Sequence, residues 1–571
     1  MTPSPVIRLP VRLGRRLATL GLGLTLLWAA AAAPTAKLLI LHTNDVHDHV
    51  RPGYDGVGGL PHVAGYIAQV RAARADVLLL DAGDVTEKGD LVAFKTHSLL
   101  TYEAFGRLGY DAVTIGNHDH DQGLAQLRRY ESALGQSLVC LNRIAADGKP
   151  LFPASRIIER GGVKVGVIGL MVPQDDGTLD FEESGRRLAA EAERLDREVH
   201  LVVALIHHGS QAAARWARQA PAVDIFVSGH THETLRSPVV LPERGTLVVQ
   251  AGANARFVGR LEIELDLGSE RILRHEASLV EMKHDAIAPD AGLLAWVRER
   301  EQAVAPEAAQ WVLNNATPVG LEMAWLAAEA LRRQAGTDLG FCHPGHIIRN
   351  PLPAGPVDVN ALFLTGGQRG HAVVRAALSG AEVAAYLNSL AGPPPDQTAW
   401  AGLVATEETT SAGSGRLVTD LDPARTYAVV MPELEWSKRF LRAASRQKTG
   451  PLAGRQFSAT PVEATFTEAL WRYLRGRGEQ PQSLQTEARE ISTRAHVRRG
   501  VTTPRSRRAA HRAVRIPVAP GGRPEPPTGA ASGPAAPRCH PSPRSRRNWP
   551  RGGRRSRAAA AAVRRGCGRS R

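Results

Sequence analysis

An α/β fold in two successive units is what this sequence predicts, on three observations. Short apolar runs alternate with amphipathic segments through the first half of the chain. A similar alternation resumes beyond Asn315. The length of 571 residues exceeds what one ordinary core accommodates. Hydrophobic and charged fractions of 43% and 22% argue against wholesale disorder, collagen or a multi-span membrane protein.

Taken in order, Arg8, Arg12, Arg15 and Arg16 precede an apolar run, Leu17–Ala33. Small residues follow over Ala29–Ala36, so residues 1–36 read as a secretory signal peptide. The body is then expected to be exported to the periplasm, cell envelope or medium, with no membrane span after cleavage. The alternative is an uncleaved anchor. The first α/β unit is expected over 37–288. Leu38–Leu41, Val77–Leu80, Ala112–Ile115, Val163–Gly169, His200–Ile206 and Asp224–Val227 read as buried strands, and Thr246–Gln250 and Arg260–Leu265 as a further set. His62–Arg74 and Thr96–Leu108 carry helical patterns. A linker helix, Pro289–Val304, is expected within 289–314, and a smaller α/β unit over 315–480.

Charge separates the ends from the body. Residues 498–571 hold 20 arginines against one acid, Glu525, and almost no Ile, Leu or Phe. Such a segment cannot bury enough apolar surface to offset its ordering entropy and reads as a disordered basic tail. Translated out-of-frame, GC-rich DNA is the reading preferred over a functional basic arm, and no function is assigned to the tail. Residues 37–497 carry a net −8, so the basic pI gives no reason to expect a nucleic-acid partner. Cys140, Cys342, Cys539 and Cys567 are too scattered for a disulfide framework or a cysteine-rich zinc site.

Polar residues sit where the first unit's strands end. Leu38–Leu41 runs into His42-Thr43-Asn44-Asp45-Val46-His47, and Val77–Leu80 into Asp81-Ala82-Gly83-Asp84. Ala112–Ile115 leads to Gly116-Asn117-His118-Asp119-His120-Asp121. The last two strands lead to His207-His208-Gly209 and to Gly229-His230-Thr231-His232. Asp45 and His47, like His230 and His232, are two apart, and in extended chain such side chains share a direction. Buried carboxylates and imidazoles are costly unless compensated, and divalent cations compensate them. Nitrogen and oxygen donors without cysteine suit Zn, Mn, Co or Fe.

As an ordered set, Asp45-x-His47, Gly83-Asp84, Gly116-Asn117-His118, His207 and Gly229-His230-x-His232 resemble the calcineurin-like metallophosphoesterases. Leu79–Asp84 and Gly109–His118 are similar to one branch, the secreted 5′-nucleotidase / 2′,3′-cyclic-nucleotide phosphodiesterase / UDP-sugar hydrolase family. The resemblance implies a four-layer αββα sandwich followed by a C-terminal substrate domain. It implies two divalent metal ions, one held by Asp45, His47 and His232, the other by Asn117, His207 and His230, with Asp84 shared. His118 matches the family's catalytic histidine and Asp121 the aspartate that orients it. Asp119-His120 stand where the family more often shows Glu and Phe. In the C-terminal unit, Gly345 and Arg349 keep a substrate-loop pattern that Pro344 and His346 break, and Trp436 is the candidate base-stacking residue.

The function expected is that of an exported, dinuclear metal-dependent phosphohydrolase, a 5′-nucleotidase acting on a small-molecule nucleotide phosphomonoester. The alternatives are a phosphodiesterase, sugar-nucleotide or sulfur-ester hydrolase of the same superfamily, and a non-catalytic cell-surface binding protein.

Overall fold

The computed structural model describes residues 34–498, apart from 88, 175–176, 391–397 and 410–414. The expected signal up to residue 33, and the basic tail beyond Arg498, lie outside the described residues. Among the described residues no helix is long and apolar enough to cross a membrane.

Two sheets form the first region. One has five strands in the order Arg271–Glu281, Phe257–Asp266, Thr35–Thr43, Val77–Asp81 and Ala112–Val113. The other has six, Ser155–Arg160, Val163–Met171, Leu201–His207, Ile225–Ser228, Leu247–Val249 and Val239–Val240. Their inner strands are apolar at nearly every position because each sheet is covered on both faces. Leu38, Ile40, Leu78 and Leu80 of the first sheet meet Val165, Val167, Val203, Leu205 and Val227 of the second in one buried cluster. The intervening residues Leu39, Leu41 and Leu79 point the other way, to Val63, Ile67 and Phe105 on the helices Leu60–Ala73 and Leu99–Leu108. On the far side, Ile168, Val202, Ala204 and Phe226 pack with Leu188 and Trp216 of the helices Phe181–Asp196 and Ser210–Gln219. Helix, sheet, sheet and helix thus form the four layers of an αββα sandwich.

Several expected boundaries shift. The first strand begins at Thr35, where Thr35 and Ala36 pair with Asp266 and Leu265, inside the segment assigned to the signal. The third strand stops at Val113, although the Thr114 N–H still donates to the Asp81 carbonyl at 3.1 Å. The helix expected from Thr96 starts at Leu99 and is preceded by a short helix, Leu91–Lys95. His97 and Ser98 break the two apart with left-handed φ values of 49° and 58°.

The expected linker is a packed helix, Ala291–Val304, whose first turn is capped by Asp290 accepting from the Leu293 N–H at 2.7 Å. Leu293 and Val297 share one core with Ile67, Val312 and Leu362, so apolar packing is continuous across it. A polar joint adds to this contact. Arg51 Nη2 donates to Asp358 Oδ2 at 2.8 Å, and Asn360 bridges the Asp90 carboxylate (2.7 Å) and the Leu91 N–H (2.8 Å).

The C-terminal region is built on a five-stranded sheet ordered Ala399–Ala401, Leu339–Cys342, Thr426–Pro432, Val373–Ser379 and Thr460–Val462. It extends beyond the expected end at 480. Helix Leu484–Ala495 follows, Trp400 Nε1 donates to the Ala495 carbonyl at 3.2 Å, and His496–Arg498 pairs in parallel with Ala405–Thr409. Cys140 and Cys342 are both buried free thiols.

Candidate metal centre and active site

The candidate ligands lie at strand ends and in the segments that follow them, with His207 closing strand Leu201–His207 and Asn117 opening the short helix Asn117–Asp121, and backbone bonds stitch these segments together. The Asp45 N–H donates to the Gly83 carbonyl at 2.8 Å, and the His47 N–H to the Asp84 carbonyl at 3.1 Å. The shared direction expected of Asp45 and His47 in extended chain is corrected here, because the strand ends at Thr43. Asp45, His47, Asp84, His230 and His232 have φ values of 52°, 49°, 54°, 78° and 55°. Left-handed backbone costs a non-glycine residue roughly 1–2 kcal/mol. Such a concentration persists only where the surroundings over-determine it, and strain of this kind clusters at functional sites. Two glycines make the close approach possible: a Cβ on Gly116 would lie 2.0 Å from Asp84 Oδ1, and one on Gly229 2.8 Å from His207 Nδ1.

The structure brings all seven proposed ligand residues together in two groups. In the first, Asp45 Oδ1 lies 3.7 Å from His47 Nε2 and 3.3 Å from His232 Nε2, and the two imidazole nitrogens are 3.0 Å apart. In the second, Asp84 Oδ2 lies 3.0 Å from His207 Nε2, with His230 beside them and its Nδ1 2.9 Å from Asn117 Oδ1. Asp84 thus falls with the second group, while Asp45 Oδ1 is 3.9 Å from His207 Nε2 and links the two.

The chemistry of this donor set fits a pair of cations. His47 Nδ1 lies 2.9 Å from the Thr86 carbonyl and His207 Nδ1 2.8 Å from that of Ala82. Those acceptors assign the ring proton to Nδ1 and leave each Nε2 lone pair facing the cluster. His207 Nε2 is buried and, despite its 3.0 Å approach to Asp84, is outside hydrogen-bond geometry. Burial alone would lower the His207 pKa, but the carboxylates of Asp84 and Asp45 hold it up at about 10. Burial and the neighbouring His207 push His230 down to about 4. Burial also pushes the Asp84 carboxyl up, yet His207, His47 and His118 together hold it below the usual range. The cluster therefore calls for positive charge at a buried point surrounded by lone pairs, which divalent cations supply.

His118 belongs to neither group. Its Nε2 is 4.0 Å from Asp84 Oδ2 and 3.1 Å from Glu87 Oε2, and its Nδ1 is 3.8 Å from Asp121 Oδ2. The Asp121 separation is an ion-pair distance rather than a hydrogen bond, and that side chain is 65% exposed. Glu87 was not anticipated in the sequence, where it follows no strand end; an acid three residues past Asp84 was the available signal. A cavity of about 500 Å³ adjoins His118, lined also by Glu87, Phe94, Lys95, His97 and Asp121.

Two buried residues beyond the expected set hold the loops. Asn44 donates to Asp45 Oδ2 at 2.7 Å and to the Gly252 carbonyl at 2.6 Å. Asp119 accepts from the N–H groups of Gly116 (2.8 Å), Asp84 (2.9 Å) and Thr86 (3.0 Å), tying the Asp84 loop to the start of the short helix that carries Asn117 and His118. Asp119→Asn swaps one acceptor oxygen for an NH2 that faces those donors. The variant is expected to weaken metal affinity about 10–100-fold with the ligands themselves unchanged, as outer-shell changes do. Competition against a chromophoric chelator measures it, and wild-type affinity would refute the anchoring role.

The proposed substrate residues stand apart from this cluster in the chain. Gly345 and Arg349 are exposed on the loop after strand Leu339–Cys342, with the Arg349 N–H donating to the Thr365 carbonyl at 2.8 Å. Trp436 requires correction as a base-stacking residue. It is 6% exposed and stacked on Phe440 with ring centroids 4.5 Å apart, in a core shared with Phe341 and Tyr386. Its indole is apolar surface that this core buries.

Beside it, Glu435 is fully buried and accepts from the Tyr386 hydroxyl at 3.0 Å. Burial, partly offset by hydroxyl donors, raises its pKa from 4.5 to about 7. A folded-state pKa above the unfolded one makes stability greatest below pH 4.5, with loss as pH rises to about 7. Glu435→Gln is therefore expected to raise stability at pH 8 by on the order of 1–3 kcal/mol and to give no such gain at pH 4. Denaturant melts at the two pH values test it, and an equal effect at both would contradict it.

Residues 38–234 match the calcineurin-like phosphoesterase family. The chain carries a calcineurin-like metallophosphoesterase domain, with 5′-nucleotidases among its relatives. The 5′-nucleotidase of Vibrio vulnificus is 25% identical over 458 residues, covering 67% of this chain and 81% of that protein. The snake venom 5′-nucleotidase of Gloydius brevicauda is 30% identical over 276 residues, 42% of this chain and 47% of its own length. Endonuclease YhcR of Bacillus subtilis is 24% identical over 475 residues, 73% of this chain and 38% of its length. The chain thus spans under half the length of these last two relatives. Among solved structures, a 5′-nucleotidase precursor from Thermus thermophilus superposes with a TM-score of 0.60 at 25% identity, over 77% of this chain and 96% of that one. The sulfate thiohydrolase SoxB of Thermus thermophilus shares the fold, with a TM-score of 0.57 at 17% identity over 83% and 99% of the two chains.

Proposed function

We propose that the protein is an exported phosphohydrolase that holds two divalent cations and hydrolyses phosphoesters of nucleotides, 5′-nucleotide monoesters first among them. The observation that carries this reading is the gathering of Asp45, His47, His232, Asp84, His207 and His230 into two adjacent donor groups. Asp45, His47 and His232 would hold one cation, Asn117, His207 and His230 the other, with Asp84 shared. Bound in this way, a cation pair supplies Lewis acidity to a phosphoryl oxygen and lowers the pKa of water.

The chain's own residues supply the rest. The His118 N–H donates to Asp84 Oδ1 at 2.9 Å, which fixes the catalytic histidine against the ligand loop. His118 then presents Nε2 to the cavity, where a proton on it stabilises charge growing on the phosphoryl oxygens. Asp121 on the Nδ1 side favours that charged form at ion-pair range. Arg349 and Gly345 are proposed to contact substrate, since a guanidinium forks to phosphate oxygens. Export rests on the arginine-then-apolar pattern of the N-terminal segment.

A second reading is hydrolysis of phosphodiesters, sugar nucleotides or sulfur esters; of these, the sulfur esters, which carry no base, are favoured by the burial of Trp436, which removes the expected base-stacking surface. The test is a screen of AMP, 2′,3′-cyclic AMP, UDP-glucose and a sulfate ester with Mn²⁺ or Zn²⁺ added. Preferential hydrolysis of AMP supports the first reading, and turnover confined to the others supports the second. A metal-loaded protein inert on all of them contradicts both.

A further inference from the structure

We infer that the cavity at the joint between the two regions is a nucleobase subsite, with the Asn254 side-chain amide reading the base edge. The inference rests on the phosphohydrolase reading above and names where the leaving group of a nucleotide sits. The cavity holds about 440 Å³, an ordinary size for a small-molecule site. Its wall combines residues of the segment 49–59, Asp90, Asn254 and Arg256 with Pro318, residues of the segment 350–354, Ala361 and Leu364.

Both sides of this wall are tied to the proposed machinery. The Asn254 N–H donates to the Asp45 carbonyl at 2.7 Å. His49 follows the candidate ligand His47 by two residues, at most about 7 Å of extended chain. Across the cavity, Asn350 follows Arg349, the proposed phosphate contact. A nucleotide with its phosphoryl group at the donor groups therefore has this cavity within reach of its base.

The chemistry of the wall selects the ligand. Arg256 Nη1 donates to Asp55 Oδ2 at 2.7 Å, and Arg51 Nη2 to Asp358 Oδ2 at 2.8 Å. Asp90 accepts the Arg51 N–H and the Asn360 amide, both at 2.7 Å. With these ions engaged, Pro52, Val57, Pro318, Pro351, Pro353 and Leu364 supply apolar surface. Such a wall suits an uncharged flat ring better than an anion, which would have to compete for each guanidinium. It also offers a base the apolar contact that the buried Trp436 does not.

Asn254 supplies the polar contact. Among the described residues its side chain makes no hydrogen bond, and its φ of 59° is a left-handed value that asparagine tolerates better than most residues. A carboxamide donates through its NH2 and accepts through its oxygen, the pattern that complements the amino and N7 edge of adenine.

The full chain loaded with Mn²⁺ tests this on AMP and p-nitrophenyl phosphate, which share the phosphoryl group and differ in the base. Asn254→Gly keeps the left-handed backbone and the N–H to Asp45. It is expected to lower the AMP-to-p-nitrophenyl phosphate ratio of kcat/KM roughly ten-fold, through KM for AMP rather than kcat. Asn254→Asp, which exchanges the NH2 donor for a second acceptor, must lower the ratio as well. Calorimetric titration with adenosine gives a reading independent of turnover, with about ten-fold weaker binding expected in both variants. An unchanged ratio in both variants, or a wild type that binds no adenosine, overturns the inference. A wild type inert on both esters overturns the phosphohydrolase reading, while the adenosine titrations still decide whether Asn254 reads a base.

Discussion

Asp84→Ala is expected to lower kcat/KM by roughly 10²–10⁴-fold and to lose at least one equivalent of bound metal, since breaking a buried charge pair costs about 3–5 kcal/mol. Asp84 is 2% exposed and carries several contacts at once. Oδ2 faces His207 Nε2 at 3.0 Å and His118 Nε2 at 4.0 Å, while Oδ1 accepts the His118 N–H at 2.9 Å. Its removal leaves the buried His207 with Asp45 as its remaining near carboxylate, at 3.9 Å, and frees the backbone that aims His118. Asp84→Asn separates these effects: it keeps an oxygen for the His118 N–H but loses the charge, so its metal deficit should match that of alanine. Elemental analysis beside steady-state kinetics reads both. A fully metallated, active Asp84→Ala protein would show that Asp84 is no part of the centre.

His118→Ala is expected to lower kcat roughly 10²–10³-fold, the effect of deleting one preorganised group that stabilises transition-state charge. Metal content and KM should change little, because His118 stands outside both donor groups and its side chain is 19% exposed. The split separates His118 from Asp84: the former should lose turnover with the metals in place, the latter should lose both together. Loss of metal in His118→Ala would make the residue a ligand. Full activity in a metallated variant would remove it from the chemistry.

Much of this arrangement was legible in the sequence because burial on both faces leaves a plain mark. Leu38–Leu41, Val77–Leu80 and Leu201–Ile206 read as strands since every side chain in them has a core to enter, Leu38 and Ile40 on one face and Leu39 and Leu41 on the other. The candidate ligands were legible since polar residues directly after such runs are few and costly. What the sequence concealed was geometry set by tertiary contacts. The left-handed turns at Asp45, His47 and Asp84 leave no glycine signature, because neighbouring loops impose them through bonds such as that from the Asp45 N–H to Gly83. Asp119 reads as a variant beside the histidine, and its role appears only when three N–H groups from two loops converge on it. The helix Ala291–Val304 reads as a linker because its charged residues mask Leu293 and Val297, which bind it to a core running across both regions. Trp436 reads as a base-stacking residue because the sequence does not show what its ring meets, and stacking on Phe440, four residues on, places it in the core instead.

The measurement that tests the account most directly is anomalous diffraction from Mn²⁺-loaded crystals of the full chain. Two peaks are expected, one bounded by Asp45, His47 and His232 and one by Asn117, His207 and His230, with Asp84 reaching both. A single peak, peaks elsewhere, or a protein that stays metal-free under every loading condition would contradict it.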